Sequence, residues 1–197
     1  MTVRGPLLRL LRYALAALML GSTVAHAAGW DIDQLMRGLA QIRSDHARFV
    51  EKKTIAMLDQ PVESSGELFY VAPDHLEKRT IKPKPESMIL DRGTLVIARG
   101  HQTHTLQLQD YPELAAFIDS IRGTLAGDRK ALERDYRLSL DGTAEHWTLQ
   151  LTPTNEKMLK VIKQIRIAGA GSALHSIAIT QADGDNSLMR IEALAAP

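Results

Sequence analysis

Histidine and serine side chains are the first candidates for chemistry in this sequence. His101 and His104 have an H-x-x-H spacing, but residues three apart on a strand point to opposite faces, and no nearby carboxylate or cysteine completes a set of metal ligands. Ser172 lies three residues before His175 without the G-x-S-x-G pattern of a nucleophile elbow. We therefore predict no metal site, no cofactor and no catalytic residue here.

Two further patterns resemble reactive sites without their defining residues. The segment "GTLAGDRK" lacks the glycine and Lys-Ser/Thr spacing of a phosphate-binding loop, and its Gly127 is typical of a helix stop. Asp183 and Asp185 flank Gly184, which is typical of a hairpin turn with solvated charges rather than of an acid/base pair. A lipid-ester hydrolase stays open only as an alternative in which Ser, His and Asp converge in space.

The first 27 residues have the three-part pattern of a cleaved secretory signal. Three arginines precede an apolar run from Ala14 to Leu20, and the segment ends with Ala25-His26-Ala27. The apolar run is too short to span a bilayer, although a retained interfacial helix is the alternative. We predict that residues 1–27 are removed and that residues 28–197 form one domain in the periplasm, without stable membrane insertion.

Charge and cysteine content exclude several classes of protein. The signal-like segment holds three of the 24 basic residues and none of the 23 acidic ones, so the rest of the chain has a net charge of about −2. Near neutrality argues against a nucleic-acid partner, which needs a basic face. The sequence contains no cysteine, which excludes a thiol catalyst, a thiolate zinc site and a Cys-linked lipid anchor.

Two amphipathic helices are predicted from apolar residues at helical spacing. The first starts with Asp31 and Gln34, which resemble a capping box, and its apolar residues are Ile32, Leu35, Met36, Leu39 and Ile42. The second lies between Pro112 and Gly127, and its apolar stripe consists of Leu114, Phe117, Ile118, Ile121 and Leu125. Short helical turns are predicted through Ala131 and Leu132 and in "NEKML".

About ten short segments have the alternation and turn signals of strands. The first, "HARFVEKKTIAM", places Ala47, Phe49 and Ile55 on one face. The segments from Gly66 to Leu108 are separated by short breaks, which predicts an antiparallel meander, and the last third returns to alternating strands. Without a linker or repeat, the chain is predicted to be one α+β domain, in which a large antiparallel sheet curls and helices cover one face.

The segment "LFYV" is apolar on both faces of its strand, with Leu68 and Tyr70 on one face and Phe69 and Val71 on the other. Periodicity leaves two interpretations open. The segment can belong to an ordinary core and an edge that a helix covers. Alternatively, the concave face of the sheet encloses more apolar surface than packing needs and holds a hydrophobic ligand.

The order of these motifs resembles that of the LolA-like periplasmic carriers, the family of outer-membrane lipoprotein carrier proteins. "HARFVEKK" is similar to the family's F-x-Q/E strand, and "SGELFYVAPD" is similar to its G-x-L-x-x-x-x-P-N/D hairpin. "ESMILDRGTL" is similar to its strand and D-G-x-x-L turn, and its closing strands are similar to "WTLQLTP", "IKQIRI" and "LHSIAITQADGDNS". The resemblance covers nearly all of the chain after the signal.

This resemblance implies an incomplete, strongly curved antiparallel β-barrel whose concave apolar face is covered by helices and takes up acyl chains. Such a protein is a transport chaperone rather than an enzyme, and it passes lipoproteins from an inner-membrane donor to an outer-membrane acceptor protein. We expect a monomer. Phe49 matches the family's cavity-lining Phe, and Pro73 matches its hairpin Pro. The residues expected to line the cavity are Phe49, Leu68, Tyr70, Leu76, Met88, Leu90, Leu114, Phe117, Ile118, Ile121, Trp147 and Leu149.

The cargo and the role each have alternatives at this point. Ala72 replaces an Arg that lipoprotein carriers tend to have before the hairpin Pro, and Lys78 stands where an aromatic side chain would point inward. Another lipid, or a lipid-linked product of a biosynthetic pathway, is therefore an alternative to lipoprotein. The alternative role is that of a lipid- or lipoprotein-sensing regulator, because a related fold serves in regulators that detect mislocalised envelope components.

Overall fold

The computed structural model describes residues 30–194, and the predicted signal sequence lies outside them. Within this range the chain has an α+β fold with eleven strands and four helices. The strands are β1 (Ser44–Thr54), β2 (Val62–Val71), β3 (His75–Lys82), β4 (Glu86–Asp91), β5 (Thr94–Arg99), β6 (Gln102–Gln107), β7 (Tyr136–Thr143), β8 (His146–Pro153), β9 (Ile162–Ala170), β10 (Ala173–Gln181) and β11 (Asn186–Ala193). The helices are α1 (Ile32–Leu39), α2 (Pro112–Leu125), α3 (Arg129–Asp135) and α4 (Glu156–Leu159), and a 3₁₀ turn (Leu108–Asp110) precedes α2.

All eleven strands belong to one antiparallel sheet in the order β6-β5-β4-β3-β2-β1-β11-β10-β9-β8-β7. Two meanders, β2 to β6 and β7 to β11, flank β1, which pairs with β2 and with β11. The predicted meander from Gly66 to Leu108 is therefore confirmed. Strands β6 and β7 are the two edges, so the sheet curls without closing, as predicted for an incomplete barrel.

The register of strand pairing shows which side chains share a face, because side chains alternate along each strand and direct partners point the same way. In β1, Ala47, Phe49 and Glu51 are buried, whereas Arg48 and Val50 are exposed. We call the side that carries the buried residues and their partners the inner face. One detail differs from the prediction: β1 ends at Thr54, so Ile55 lies in the following loop rather than in the strand.

Strand β2 lies in the interior of the sheet, between β1 and β3. The interpretation of "LFYV" as an edge covered by a helix is therefore wrong. On the outer face the ring of Phe69 stacks on His46, with 4.3 Å between ring centroids, and the guanidinium carbon of Arg79 lies 5.0 Å from its centroid. These contacts explain why an apolar residue is tolerated on the solvent side of this strand.

Two separate apolar clusters lie on the inner face. The larger one joins residues of all four helices to strands β7 to β10, and we call this part of the molecule the packed half. Its residues Leu149, Leu151, Ile165 and Ile167 are all 0% exposed. The smaller one, which we call the small cluster, consists of Leu90, Leu95 and Leu108. It lies on the loose half of the sheet, formed by β2 to β6. The packed half therefore contributes most of the stabilising hydrophobic burial.

Local sequence signals determine where the helices begin and end. Asp31 caps α1, because its Oδ1 accepts a hydrogen bond from the main-chain nitrogen of Gln34 at 2.8 Å, as the capping pattern predicted. Gly127 follows α2 with a φ of +65°, and a Cβ at this position would lie 2.1 Å from the main-chain oxygen of Met36. Glycine therefore allows the end of α2 to approach α1.

Candidate functional site

The inner face of the loose half changes from apolar to charged along the strands. Strand pairing aligns its side chains in three rows that cross β2 to β6. The apolar row consists of Tyr70, Leu76, Leu90, Leu95 and Leu106. The mixed row consists of Leu68, Lys78, Met88, Ile97 and His104, and the polar row consists of Gly66, Thr80, Glu86, Arg99 and Gln102. A ligand lying along the strands would contact hydrocarbon at one end and charge at the other.

Several large apolar side chains in these rows keep part of their surface exposed. Tyr70 and Leu90 are each only 4% exposed, but Leu68, Leu76 and Met88 are partly exposed. In the packed half, the inner-face residues Leu149, Leu151, Ile165 and Ile167 are completely buried, whereas Leu138, Leu140 and Ile179 are partly buried. The loose half therefore presents apolar surface that the protein's own packing does not fully cover.

Helix α2 connects the two apolar clusters through the stripe that the sequence predicted. Leu114 and Ile118 pack against the small cluster, and Phe117 and Ile121 pack against the packed half. All four side chains remain partly exposed. The predicted stripe is therefore in contact with the sheet, but it is not the most buried face of the helix.

The most buried face of α2 consists of small residues, which are Ala116, Ser120, Gly123 and Thr124. A Cβ at Gly123 would lie 2.9 Å from the side chain of Leu132 in α3, which shows how closely the two helices pack. The hydroxyl of Thr124 donates to the main-chain oxygen of Ser120 at 2.7 Å, so its burial leaves no unpaired donor. The neighbouring helices therefore anchor α2 through its small residues.

A charged group lies in the middle of the inner face. Lys78 Nζ donates to Glu51 Oε2 at 2.5 Å and lies 4.8 Å from the centroid of the Phe49 ring. The side chains of Glu51 and Lys78 are 6% and 25% exposed, and Lys53 Nζ lies 3.8 Å from Glu51 Oε1. The buried carboxylate is tolerated because ammonium groups neutralise it.

Two buried tyrosines differ in the partners of their hydroxyl groups. The hydroxyl of Tyr136, on β7, donates to the main-chain oxygen of Ala116 at 3.2 Å, and burial is the main cause that raises its pKa to about 12. The hydroxyl of Tyr70 has no hydrogen-bond partner within residues 30–194. Burial raises the pKa of Tyr70, with Arg43 lowering it and Asp74 raising it to smaller extents. Tyr136 therefore ties α2 to the sheet, whereas Tyr70 has an unused donor.

The predicted strand residues of the cavity all lie on the inner face, as the pairing register shows for Phe49, Leu68, Tyr70, Leu76, Met88, Leu90, Trp147 and Leu149. Five of them belong to the apolar and mixed rows, and Phe49 lies beneath Lys78. Trp147 and Leu149 belong to the packed half and are 2% and 0% exposed. Phe49, at 1% exposed, is buried to the same extent, so the contact of these three residues with a ligand stays a prediction.

Glu51 and Ile97 belong to the inner face although the sequence-based prediction did not include them. Ile97 could have been found, because the tight turn between β4 and β5 pairs Leu90 with Leu95 and Met88 with Ile97. The contact between Glu51 and Lys78 joins β1 to β3, which are not adjacent strands. No local sequence pattern predicts such a contact.

The first turns of α2 lie against the small cluster in this conformation, because Leu114 and Ile118 contact it. Clefts lie elsewhere on the part of the surface that residues 30–194 form. One opens between α1 and α3 beside Gly127, and another lies on the outer face of β4 and β5 beside Arg92. The sequence predicted a hollow under the helices, whereas the structure shows apolar surfaces in contact there. A ligand would have to separate α2 from the sheet.

The histidines considered for chemistry are exposed, with His101 in the turn between β5 and β6 and His104 on β6. Among the described residues, no three His, Asp or Glu side chains come together in a way that could hold a metal ion. Within the same range, none of the helices has the length and the apolar character needed to cross a membrane.

Comparison with known proteins shows that the sequence matches one family model. The family model described as "Outer membrane lipoprotein carrier protein LolA-like" matches residues 24–196. No curated protein matches the sequence significantly.

Among solved structures, the LolA superfamily protein NE2245 from Nitrosomonas europaea has 10% identity and a TM-score of 0.45, over 86% of this chain and 96% of that chain. The MucA/MucB complex from Pseudomonas aeruginosa has 13% identity and a TM-score of 0.47, over 85% and 59%. A DUF1329 family protein from Desulfovibrio piger has 11% identity and a TM-score of 0.40, over 84% and 90%. At these levels of similarity, the ligands and partners of those proteins do not transfer to this chain.

Proposed function

Since the chain belongs to the outer membrane lipoprotein carrier protein LolA-like family, we propose that it is a periplasmic carrier that binds acyl chains between α2 and the inner face of the sheet. It takes up a lipoprotein or another lipid from a donor at the inner membrane and delivers it to an acceptor at the outer membrane. It acts by binding and release, without catalysis. The signal-like segment at residues 1–27 supports the periplasmic location.

The observation that carries this proposal is the incomplete burial of large apolar side chains on two facing surfaces. On the sheet these are Leu68, Leu76 and Met88, and on α2 they include Phe117 and Ile118. Apolar surface that stays partly exposed on both sides of such a contact is a candidate binding surface. Their remaining apolar surface is what a hydrocarbon chain would cover.

The way α2 is attached supports a role as a movable cover. Its small buried residues pack on α3, and its large residues contact the sheet only in part. A long acyl chain gains on the order of 10 kcal/mol from burial before ordering costs are subtracted, at about 0.8 kcal/mol for each CH₂. A ligand of this kind can therefore displace the contacts of Leu114 and Ile118 with the small cluster.

Lipid analysis of the purified protein tests the proposal. We expect organic extraction of protein purified from its native host, followed by mass spectrometry, to release an intact amphiphile in near-stoichiometric amount. Turnover of an added ester would support a hydrolase instead, and binding of a peptide or protein without lipid would support a sensor. Protein without bound lipid that also fails to bind a hydrophobic dye would contradict the proposal.

A matched pair of variants tests where the ligand binds. Phe117→Asp places a charge on the stripe of α2 and should weaken dye and lipid binding at least about tenfold, because the charge must be desolvated against hydrocarbon. Val71→Asp is the control, since Val71 is 50% exposed on the outer face of β2. Unchanged binding in a folded Phe117→Asp variant would show that α2 does not cover the ligand.

A further inference from the structure

The geometry points to an anionic amphiphile as the ligand, with its hydrocarbon chain under α2 and its carboxylate or phosphate head at a cationic rim formed by Lys53, Lys78 and Arg99. This inference rests on the proposed carrier function and specifies the chemistry of the head and the direction in which the ligand lies.

The three rows of the loose half determine the direction. The apolar row lies beside the small cluster, which Leu114 and Ile118 of α2 contact. One step along the strands, the mixed row contains Lys78, and a second step leads to Arg99 in the polar row. The polar row lies only four residues along the strands from the apolar row, so a hydrocarbon chain placed under α2 has its head beside these two cations.

The charges of the rim have a positive excess. On the inner face of β1 to β6 beyond the apolar row, Lys53, Lys78 and Arg99 are opposed by two carboxylates, Glu51 and Glu86. Glu51 is shared, because Lys78 contacts one of its oxygens and Lys53 lies 3.8 Å from the other. Glu86 contacts the Nε of Arg99, and the side chain of Arg99 is 68% exposed. An anionic head would balance the excess charge.

The position of Lys78 makes it the main determinant of head selection. Its ammonium has three N–H donors, one of which is given to Glu51, and its side chain is 25% exposed. The ring of Phe49 lies 4.8 Å away on one side, so part of the surrounding water is replaced by apolar surface. Electrostatic attraction to an anion is stronger at such a site than at a fully solvated surface lysine.

A competition assay with three single-chain amphiphiles tests this inference. Dodecanoate, dodecanol and dodecyltrimethylammonium share one hydrocarbon chain and differ in the charge of the head. At low salt we expect dodecanoate to displace a hydrophobic dye from the full mature protein at least about tenfold more effectively than the other two. The preference should decrease in 0.5 M salt, because charge attraction is screened.

Variants assign the preference to the rim. Lys78→Met alone leaves Glu51 buried and unpaired, so the double variant Lys78→Met/Glu51→Gln is the informative one. It should lose the preference for dodecanoate while still binding dodecanol. Lys52→Met is the control, because Lys52 lies on the outer face of β1 with its side chain 54% exposed, and it should keep the preference.

The outcomes separate the inference from the proposed function. Equal binding of all three amphiphiles, or a preference that the double variant retains, would overturn the anionic rim and leave the carrier function intact. Failure of all three to displace the dye would instead contradict the carrier function. Competition by acetate or inorganic phosphate alone, at the concentrations that suffice for dodecanoate, would show a simple anion site and overturn the inference.

Discussion

Leu76 and Leu149 both point from a strand to the inner face. Truncating Leu149 to Ala should mainly lower stability, whereas truncating Leu76 to Ala should mainly weaken lipid binding. Leu149 is 0% exposed in the packed half, so Leu149→Ala leaves a cavity and should lower the free energy of unfolding by about 3–4 kcal/mol. Leu76 is partly exposed in the apolar row, so Leu76→Ala should lower it by only about 1 kcal/mol. If an acyl chain covers Leu76, the same truncation should weaken lipid binding about fivefold.

Urea unfolding followed by far-UV circular dichroism measures the stability of both variants, and dye displacement by one chosen lipid measures their affinity. The slope of the unfolding free energy against urea concentration should match the wild type in both variants, which confirms that the same two states are compared. The reasoning is refuted if Leu76→Ala is destabilised as much as Leu149→Ala and binds lipid normally. In that case the loose half would be an ordinary core.

Three further predictions follow from other parts of the structure. Gly127→Ala should lower the free energy of unfolding by about 2 kcal/mol or more, because φ is +65° and a Cβ would lie 2.1 Å from a main-chain oxygen. Gly100 is the control: its φ is +57° but nothing lies near a Cβ there, so Gly100→Ala should lower the free energy by only about 1 kcal/mol in the same urea assay. Burial raises the pKa of Tyr136 from 10.0 to about 12, so the contribution of its neutral hydroxyl to stability is complete below pH 10 and is lost as pH rises toward 12. Between pH 10 and pH 12 the free energy of unfolding should therefore fall by about 3 kcal/mol more in the wild type than in Tyr136→Phe. In a series of fatty acids, each added CH₂ should tighten binding about fourfold until the chain outgrows the loose half, and an affinity independent of chain length would show that the tail is not buried.

Most of the individual elements could be predicted from the sequence, because each depends on local signals. Alternation indicated the strands, Pro112 and Gly127 bounded α2, and Asp31 marked the start of α1. The pairing of β1 with β11 could not be predicted in this way, because it joins the first strand to the last, and no turn between them sets a register. That pairing is what brings the two meanders into one sheet.

The candidate site shows the same division between local and long-range information. Hydrophobic periodicity placed Leu114, Phe117 and Ile118 on the stripe of α2 that contacts the sheet, and the structure agrees. It could not show that the deepest packing belongs to small residues such as Gly123, because periodicity measures apolar character and not how closely two helices approach. The close approach of Trp147 to Gly169 in the packed half is another contact that periodicity does not indicate.

The contact between α2 and the small cluster is compatible with a carrier because it limits how tightly a ligand can bind. Before binding, Leu114 and Ile118 cover the small cluster themselves. An acyl chain that enters replaces those contacts with its own, so the apolar surface newly removed from water is mainly that of the chain and of partly exposed residues such as Met88. The affinity is therefore lower than complete burial in an empty hollow would give, and release to an acceptor requires less free energy. A substitution that opens the space without harming the fold, such as Ile118→Ala, should accordingly bind lipid more tightly and transfer it to vesicles more slowly. Faster transfer combined with weaker binding would show that Ile118 contributes more to holding the ligand than to competing with it for the small cluster.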